Sequence, residues 1–191
     1  MRRFPSLTTL LVAVAVGGCP RPEVPNPLVG QTRYLCCNLH YEAPEINDAN
    51  YLRGALVPFG TRVDIIKVKK TRITFQPVGH PPLTLALKYG EKTLTMEQYL
   101  DRLFLTDDPR TQLAPPGHDK KQAAENAKRR KLIEEGIVQK GMTKREVLMA
   151  LGYPPAHRTP SLDASSWTYW QNRWATMVIH FDGDTVSRIE R

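Results

Sequence analysis

Gly141-Met142-Thr143-Lys144-Arg145-Glu146-Val147-Leu148-Met149-Ala150-Leu151-Gly152-Tyr153-Pro154 is the stretch whose reading decides the fold. Thr143 offers a hydroxyl to the free amides of a first helical turn. Glu146, three residues on, reaches back to the Thr143 amide, so the pair forms a capping box that sets where a helix begins. Val147, Leu148 and Leu151 recur at helical spacing and make one apolar face. Gly152 suits the left-handed backbone that ends a helix, and Pro154 blocks its return. The prediction is a short helix running from Thr143 to Gly152.

Working outward, Asp119 to Glu135 lacks helix breakers and is rich in Ala, Lys, Arg and Glu, which predicts a second helix. Its apolar stripe is thin at Ala123, Ala124 and Ala127 and thickens at Leu132 and Ile133, so its first turns should stand in solvent. Downstream, Ser166 to Trp170 alternates Trp167 and Tyr169 against Thr168 and Trp170. Ala175 to Phe181 places Met177, Ile179 and Phe181 on one face. Asp182-Gly183 is a hairpin turn, and Thr185 to Ile189 returns with Val186 and Ile189. Two helices followed by an antiparallel meander make a two-layer α+β unit.

This order resembles the SmpA/OmlA family of outer-membrane lipoproteins. The resemblance rests on Gly141-Met142-Thr143-Lys144, Val147, Leu151-Gly152-Tyr153-Pro154, Trp167-Thr168-Tyr169 and the apolar strand ending in Phe181-Asp182-Gly183. It covers 133–189. It implies a BamE-like fold, two helices on a three-stranded antiparallel sheet, similar to the repeats of β-lactamase-inhibitory protein. It also implies an outer-membrane lipoprotein. The family's lipid- and partner-contacting aromatic and arginine follow its Trp-x-Tyr segment. Here Gln171, Asn172 and Arg173 stand there, and Arg173 is the loose match. Unlike the family, this chain places a whole further half before the shared part.

That half reads as β from Gln31 to Lys88. Strands are expected at Arg33–Leu39, Arg62–Val68, Arg72–Val78 and across Leu83, Leu85 and Leu87, with a turn at Pro58-Phe59-Gly60-Thr61. Short strands with tight turns suggest a small barrel or meander, faintly similar to bacterial SH3-like domains. Thr95 and Gln98 form another capping box. Leu100, Leu103 and Phe104 follow at helical spacing in a helix that closes the domain. Asp107 to His118, with Pro109, Pro115, Pro116 and Gly117, reads as a linker.

The N-terminus carries a different kind of information. Arg2-Arg3, an uncharged apolar run from Phe4 to Gly18 and small residues before Cys19 make a secretory leader. The run is shorter than the roughly 20 residues a spanning helix needs. Val16-Gly17-Gly18-Cys19 resembles the lipobox of bacterial lipoproteins, in which the leader is cut before the cysteine and the cysteine is acylated. Pro20, Pro22, Pro25 and Pro27 then form a semi-stiff tether. The expected organisation is thus a leader at 1–18, a tether at 19–30, a β-rich domain with its closing helix at 31–106, a linker at 107–118 and the α+β domain at 119–191. Cys36 and Cys37, adjacent on an extended strand, should point to opposite faces. One buried and one half-exposed thiol is the expectation, and a vicinal disulfide is the alternative.

Hydrophobic content of 41% and charged content of 24% describe an ordinary globular body, with a net charge of +8 of which Arg2 and Arg3 carry two. An exported basic protein does not meet nucleic acid. Its anionic neighbours are lipid head groups or acidic protein patches. Acyl chains on Cys19 supply the membrane contact, with the outer membrane, periplasm-facing, as the expected location.

Four large aromatics, Trp167, Tyr169, Trp170 and Trp174, cluster after the helices. Alternation assigns Trp167 and Tyr169 to the core and leaves Trp170, Arg173 and Trp174 as the expected partner-binding residues. Lys128-Arg129-Arg130-Lys131 spreads around its helix and reads as a solvated face, the alternative being a lipid or acidic-partner contact. His180, Asp182 and Asp184 alternate, yet the Asp182-Gly183 turn accounts for the aspartates, and no metal is assigned. His40, His80, His118 and His157 fall in loop-like contexts. No catalytic motif or phosphate loop occurs. A non-catalytic accessory or scaffold subunit of an envelope complex, without cofactors, is the expected function. A ligand-binding or inhibitory lipoprotein is the alternative, and an envelope enzyme working in the β half is a third hypothesis.

Overall fold

The computed structural model describes residues 26–89, 93–113 and 119–191. The expected leader at 1–18, Cys19, the expected tether residues Pro20, Pro22 and Pro25, and positions 114–118 of the expected linker lie outside the described residues. Among the described residues the chain is mixed α+β, with three α-helices, a six-stranded sheet, a three-stranded sheet and a two-stranded ribbon.

The first half contains β1 (Thr32–Leu35), β2 (Leu39–Tyr41), β3 (Glu45–Asn47), β4 (Ala55–Val57), β5 (Arg62–Lys69), β6 (Arg72–Pro77), β7 (Leu83–Ala86), α1 (Met96–Leu103) and β8 (Phe104–Leu105). Six of these strands form one sheet in the order β3-β7-β6-β5-β1-β8, while β2 and β4 pair separately. The expected meander is present as β5-β6-β7. The small barrel is not, because β1, β8 and a parallel β3 extend an open mixed sheet instead. Strands of two or three residues leave no period to read, which is why β2, β3, β4 and β8 are missing from the sequence expectation.

Alternation places Val63, Ile65, Ile73, Phe75, Leu83 and Leu85 inside. Ile66 follows the buried Ile65 outward and is 48% exposed; a bulge between Ile65 and Lys67 then resets the phase of β5, so Lys67 also stays outward and Val68 returns toward the core. α1 is closed by the capping box, the Gln98 amide donating to Thr95 Oγ1 and the Thr95 amide to Gln98 Oε1. It lays Met96, Tyr99, Leu100 and Leu103 into the same core.

The cysteines depart from expectation. β1 ends at Leu35, and the backbone bends through Cys36 and Cys37 instead of continuing as a strand to Leu39. The alternating-face premise fails at that bend. Both residues are buried in one cluster and are joined as a vicinal disulfide.

The second half contains α2 (Lys120–Glu134), α3 (Lys144–Leu151), β9 (Ser166–Trp170), β10 (Thr176–Asp182) and β11 (Thr185–Glu190), with sheet order β11-β10-β9, all antiparallel. The capping box of α3 forms as read: the Thr143 amide donates to Glu146 Oε2 at 2.7 Å and the Glu146 amide to Thr143 Oγ1 at 3.2 Å. Ile133 of α2 and Val147 and Leu151 of α3 share a buried cluster with Trp167, Tyr169, Ile179 and Phe181 of the sheet. Ile133 is the one buried residue of α2, so its early turns do stand in solvent. Arg129 is an exception within the basic run, because its guanidinium donates to Gly141 O and Glu146 Oε2 and ties α2 to the start of α3.

Two asparagines join the halves. The last carbonyls of a helix have no partner inside it. Asn38 Nδ2 donates to Ile133 O (2.6 Å) and Ala150 O (3.0 Å), its backbone amide donates to Met149 O (2.8 Å), and its Oδ1 accepts from the Phe59 amide (2.8 Å). Asn50 Nδ2 donates to Leu151 O (2.8 Å) and Tyr153 O (3.1 Å). Loops of the first half therefore cap the C-terminal ends of both helices of the second.

Gly152 sits between the two asparagines with φ +76°. A Cβ there would lie 2.9 Å from Asn50 Nδ2 and 3.2 Å from Asn38 O, so close approach and left-handed backbone both demand glycine. Phe59, from the first half, is buried in the second core, and Tyr153, from the second, packs on the first. Positions 107–113 of the expected linker are folded: a 3-10 turn at Pro109–Gln112 is capped by Asp108, Arg145 donates to Gln112, and Leu113 packs on the second core.

Asn38→Ala leaves several buried backbone groups without their partner. The expected loss is about 3 kcal/mol of unfolding free energy, read by urea titration. A loss below about 1 kcal/mol would show that the clasp is not what joins the halves.

Candidate functional site

The β9–β10 hairpin shows how the aromatic cluster divides. Trp167 and Tyr169 face inward, 1% and 0% exposed, and the Tyr169 hydroxyl donates to Gly152 O at 2.9 Å. Trp170, one step out of phase, is half-buried at the end of β9. The tip is fixed by Asn172, whose Oδ1 accepts from the Trp174 amide (2.8 Å) and the Ala175 amide (3.0 Å). This hydrogen-bonded turn holds Trp174 outward, 85% exposed. The Arg173 guanidinium lies 5.5 Å from the Trp174 ring centre, and Arg158, from the loop after α3, lies 5.5 Å from that of Trp170.

The first half adds to this surface. The Leu52 amide donates to Trp170 O at 3.1 Å, which sets the Tyr51-Leu52 loop against the edge of β9. Tyr51 lies close to Tyr89 and Arg173. Burial raises the Tyr51 phenol above its ordinary value, the Tyr89 ring adds to the rise, and the Arg173 guanidinium opposes it. Tyr89 is held from behind by the buried Asp48 carboxylate, which accepts from the Lys88 and Tyr89 amides. The Tyr89 ring stands 5.2 Å from that of His157.

Tyr51, Tyr89, His157, Arg158, Trp170, Arg173 and Trp174 thus form one continuous aromatic and arginine surface across the seam. The three expected residues, Trp170, Arg173 and Trp174, all lie on it. The sequence reading assigned none of the other four to a binding surface, His157 appearing there only as a loop histidine, because they come from three separate loops with no shared motif. The one signal they carry is that His157 and Arg158 stand in a proline-rich loop with no apolar period to fill.

Two hollows adjoin the seam. The smaller, about 40 Å³, is lined by Asn38, Asp48, Asn50, Tyr99, Phe104 and Tyr153. It has room for water but not for a substrate. Burial pushes the Tyr99 phenol well up, the Asp48 carboxylate beside it adds to the rise, and Arg102 opposes it. The larger, about 220 Å³, is a groove bordered by His40, Tyr41, Glu42, Tyr51 and Arg53. His40 Nδ1 and Asn50 Oδ1 are buried beside it with no hydrogen-bond partner among the described residues. His180 pairs with Glu190 across the sheet, and among the described residues no three His, Cys, Asp or Glu side chains converge to hold a metal. Comparison with protein-family models, curated proteins and solved structures returns no match.

Two measurements follow from this geometry. Trp174→Ala should change unfolding free energy by no more than about 0.5 kcal/mol, whereas Trp167→Ala should cost about 3–5 kcal/mol; both are read by chemical denaturation. Burial lowers the His40 pKa below its ordinary 6.5, so the unfolded chain takes the proton more readily than the folded one. Stability from this residue is complete above pH 6.5 and falls as pH drops through the folded value, and His40→Gln should flatten that part of a stability–pH curve.

Proposed function

We propose that this chain is a lipid-anchored, SmpA/OmlA-like envelope protein of the outer membrane. It acts as a non-catalytic accessory or scaffold subunit that docks on a membrane-protein assembly or other envelope complex. The observation that carries the docking half is Trp174, a large apolar side chain held in water on a hydrogen-bonded hairpin turn among arginines and tyrosines. Tryptophan, tyrosine and arginine dominate binding energy at protein interfaces. Leaving an indole in water forgoes about 1.5–3 kcal/mol of burial, which an interface recovers. The anchor half rests on the residues before and at Cys19. It agrees with a described body in which no helix is long and apolar enough to cross a membrane.

A second reading, a ligand-binding or inhibitory lipoprotein, draws support from the groove beside His40, where two buried polar atoms lack partners. A small hydrogen-bonding ligand there would satisfy both. His40→Phe with unchanged docking and lost ligand uptake would favour this reading over the first.

Cys19→Ser tests the anchor. The parent chain should sediment with membranes and carry the mass of acyl chains. The variant should pass to the soluble fraction with no such mass. A variant that stays with the carbonate-washed pellet would sink the anchor.

A further inference from the structure

We infer that the surface spanning Arg158, Trp170, Arg173 and Trp174 receives an acidic protein segment, two of whose carboxylates are gripped by the two arginines. This rests on the docking function proposed above and names the partner's chemistry.

Arg53, Arg72, Arg110, Arg129 and Arg188 each hold a carboxylate of this chain. Among the described residues, Arg158 and Arg173 hold none, as is true of Arg33, Arg62, Arg102 and Arg145, but of these only Arg158 and Arg173 lie over tryptophan rings. The sequence around them is almost free of acid: between Glu146 and Asp182 the only Asp or Glu is Asp163, which bonds with Ser161. A guanidinium over an indole keeps its N–H edges for a planar acceptor, and a carboxylate matches that fork with two parallel hydrogen bonds. The surface therefore presents two positioned cations without an internal counter-charge.

The surroundings favour a protein over a bilayer. Of the tryptophans here, only Trp174 is fully exposed, while Trp170 is half-buried against Arg158. Tyr51 lies beside Tyr89, and the Tyr89 ring stands 5.2 Å from that of His157. That is a small apolar anchor ringed by fixed polar groups, the anatomy of an interface hot spot. A lipid surface would need a wider apolar wedge and no fixed positions.

The test uses the full-length, lipid-anchored chain in intact cells. Gln171→p-benzoylphenylalanine places a photo-crosslinker on the hairpin tip without touching the arginines or the Asn172 turn. Irradiation should give a protein adduct whose crosslinked peptide has Asp or Glu beside the attachment point. Arg158→Glu with Arg173→Glu should cut its yield about tenfold or more, and Arg158→Lys with Arg173→Lys should cut it less. Replacing the partner's acids by Lys should restore the adduct in the Glu variant. Circular dichroism melting of the Arg variants should match the parent, since both side chains are exposed.

A protein adduct indifferent to Arg→Glu would overturn the carboxylate assignment while leaving docking intact. A phospholipid adduct, or no adduct from a chain that still sediments with membranes, would overturn both, and the Cys19→Ser fractionation would still stand separately for the anchor.

Discussion

Helix ends leave carbonyls without partners, and here another part of the chain must satisfy them. The last turns of α2 and α3 point their carbonyls at Asn38 and Asn50, which belong to loops of the first half. A buried, unpaired carbonyl costs free energy comparable to a lost hydrogen bond. The two halves are therefore held together by a directional requirement as well as by apolar contact. Gly152 exists in the narrow space this leaves, and Phe59 and Tyr153 cross the boundary on either side of it.

The same clasp creates the candidate surface. With Asn38 and Asn50 fixed on the helix ends, the next residue, Tyr51, is delivered to the edge of β9, where the Leu52 amide takes the Trp170 carbonyl. Asp48, two residues before Asn50, anchors the Tyr89 backbone. A loop of the first half, the end of β7, the loop after α3 and the β9–β10 hairpin thus converge. Neither half alone holds all seven side chains, so anything that loosens the seam should also disperse the surface.

Charge is distributed unevenly over this body. Arg129 is spent inside the fold on the α3 capping box, and Arg72 and Arg110 close local ion pairs. The stretch from Val147 to Phe181 keeps its arginines and has only one acid. Exposed ion pairs contribute little to stability. Leaving Arg158 and Arg173 unpaired therefore costs the fold little and keeps them available to an external carboxylate.

The α+β class, all three α-helices, both capping boxes, the Gly152 stop and the three strands of the C-terminal sheet were legible in the residues, because each is set by spacing within a few positions. So was the division of the buried Trp167 and Tyr169 from Trp170, which follows from strand alternation. The Cys36–Cys37 disulfide, the bulge that returns Val68 toward the core and the open mixed sheet were not, because each depends on how separated segments or a single bend meet. The sequence by itself determined where elements start, stop and show an apolar face, since those are short-range choices of backbone and side chain. Only the tertiary structure decided that Asn38 and Asn50 cap helices about a hundred positions away, and so which aromatics and arginines share a surface, because unpaired carbonyls can be satisfied by any donor that packing brings within reach.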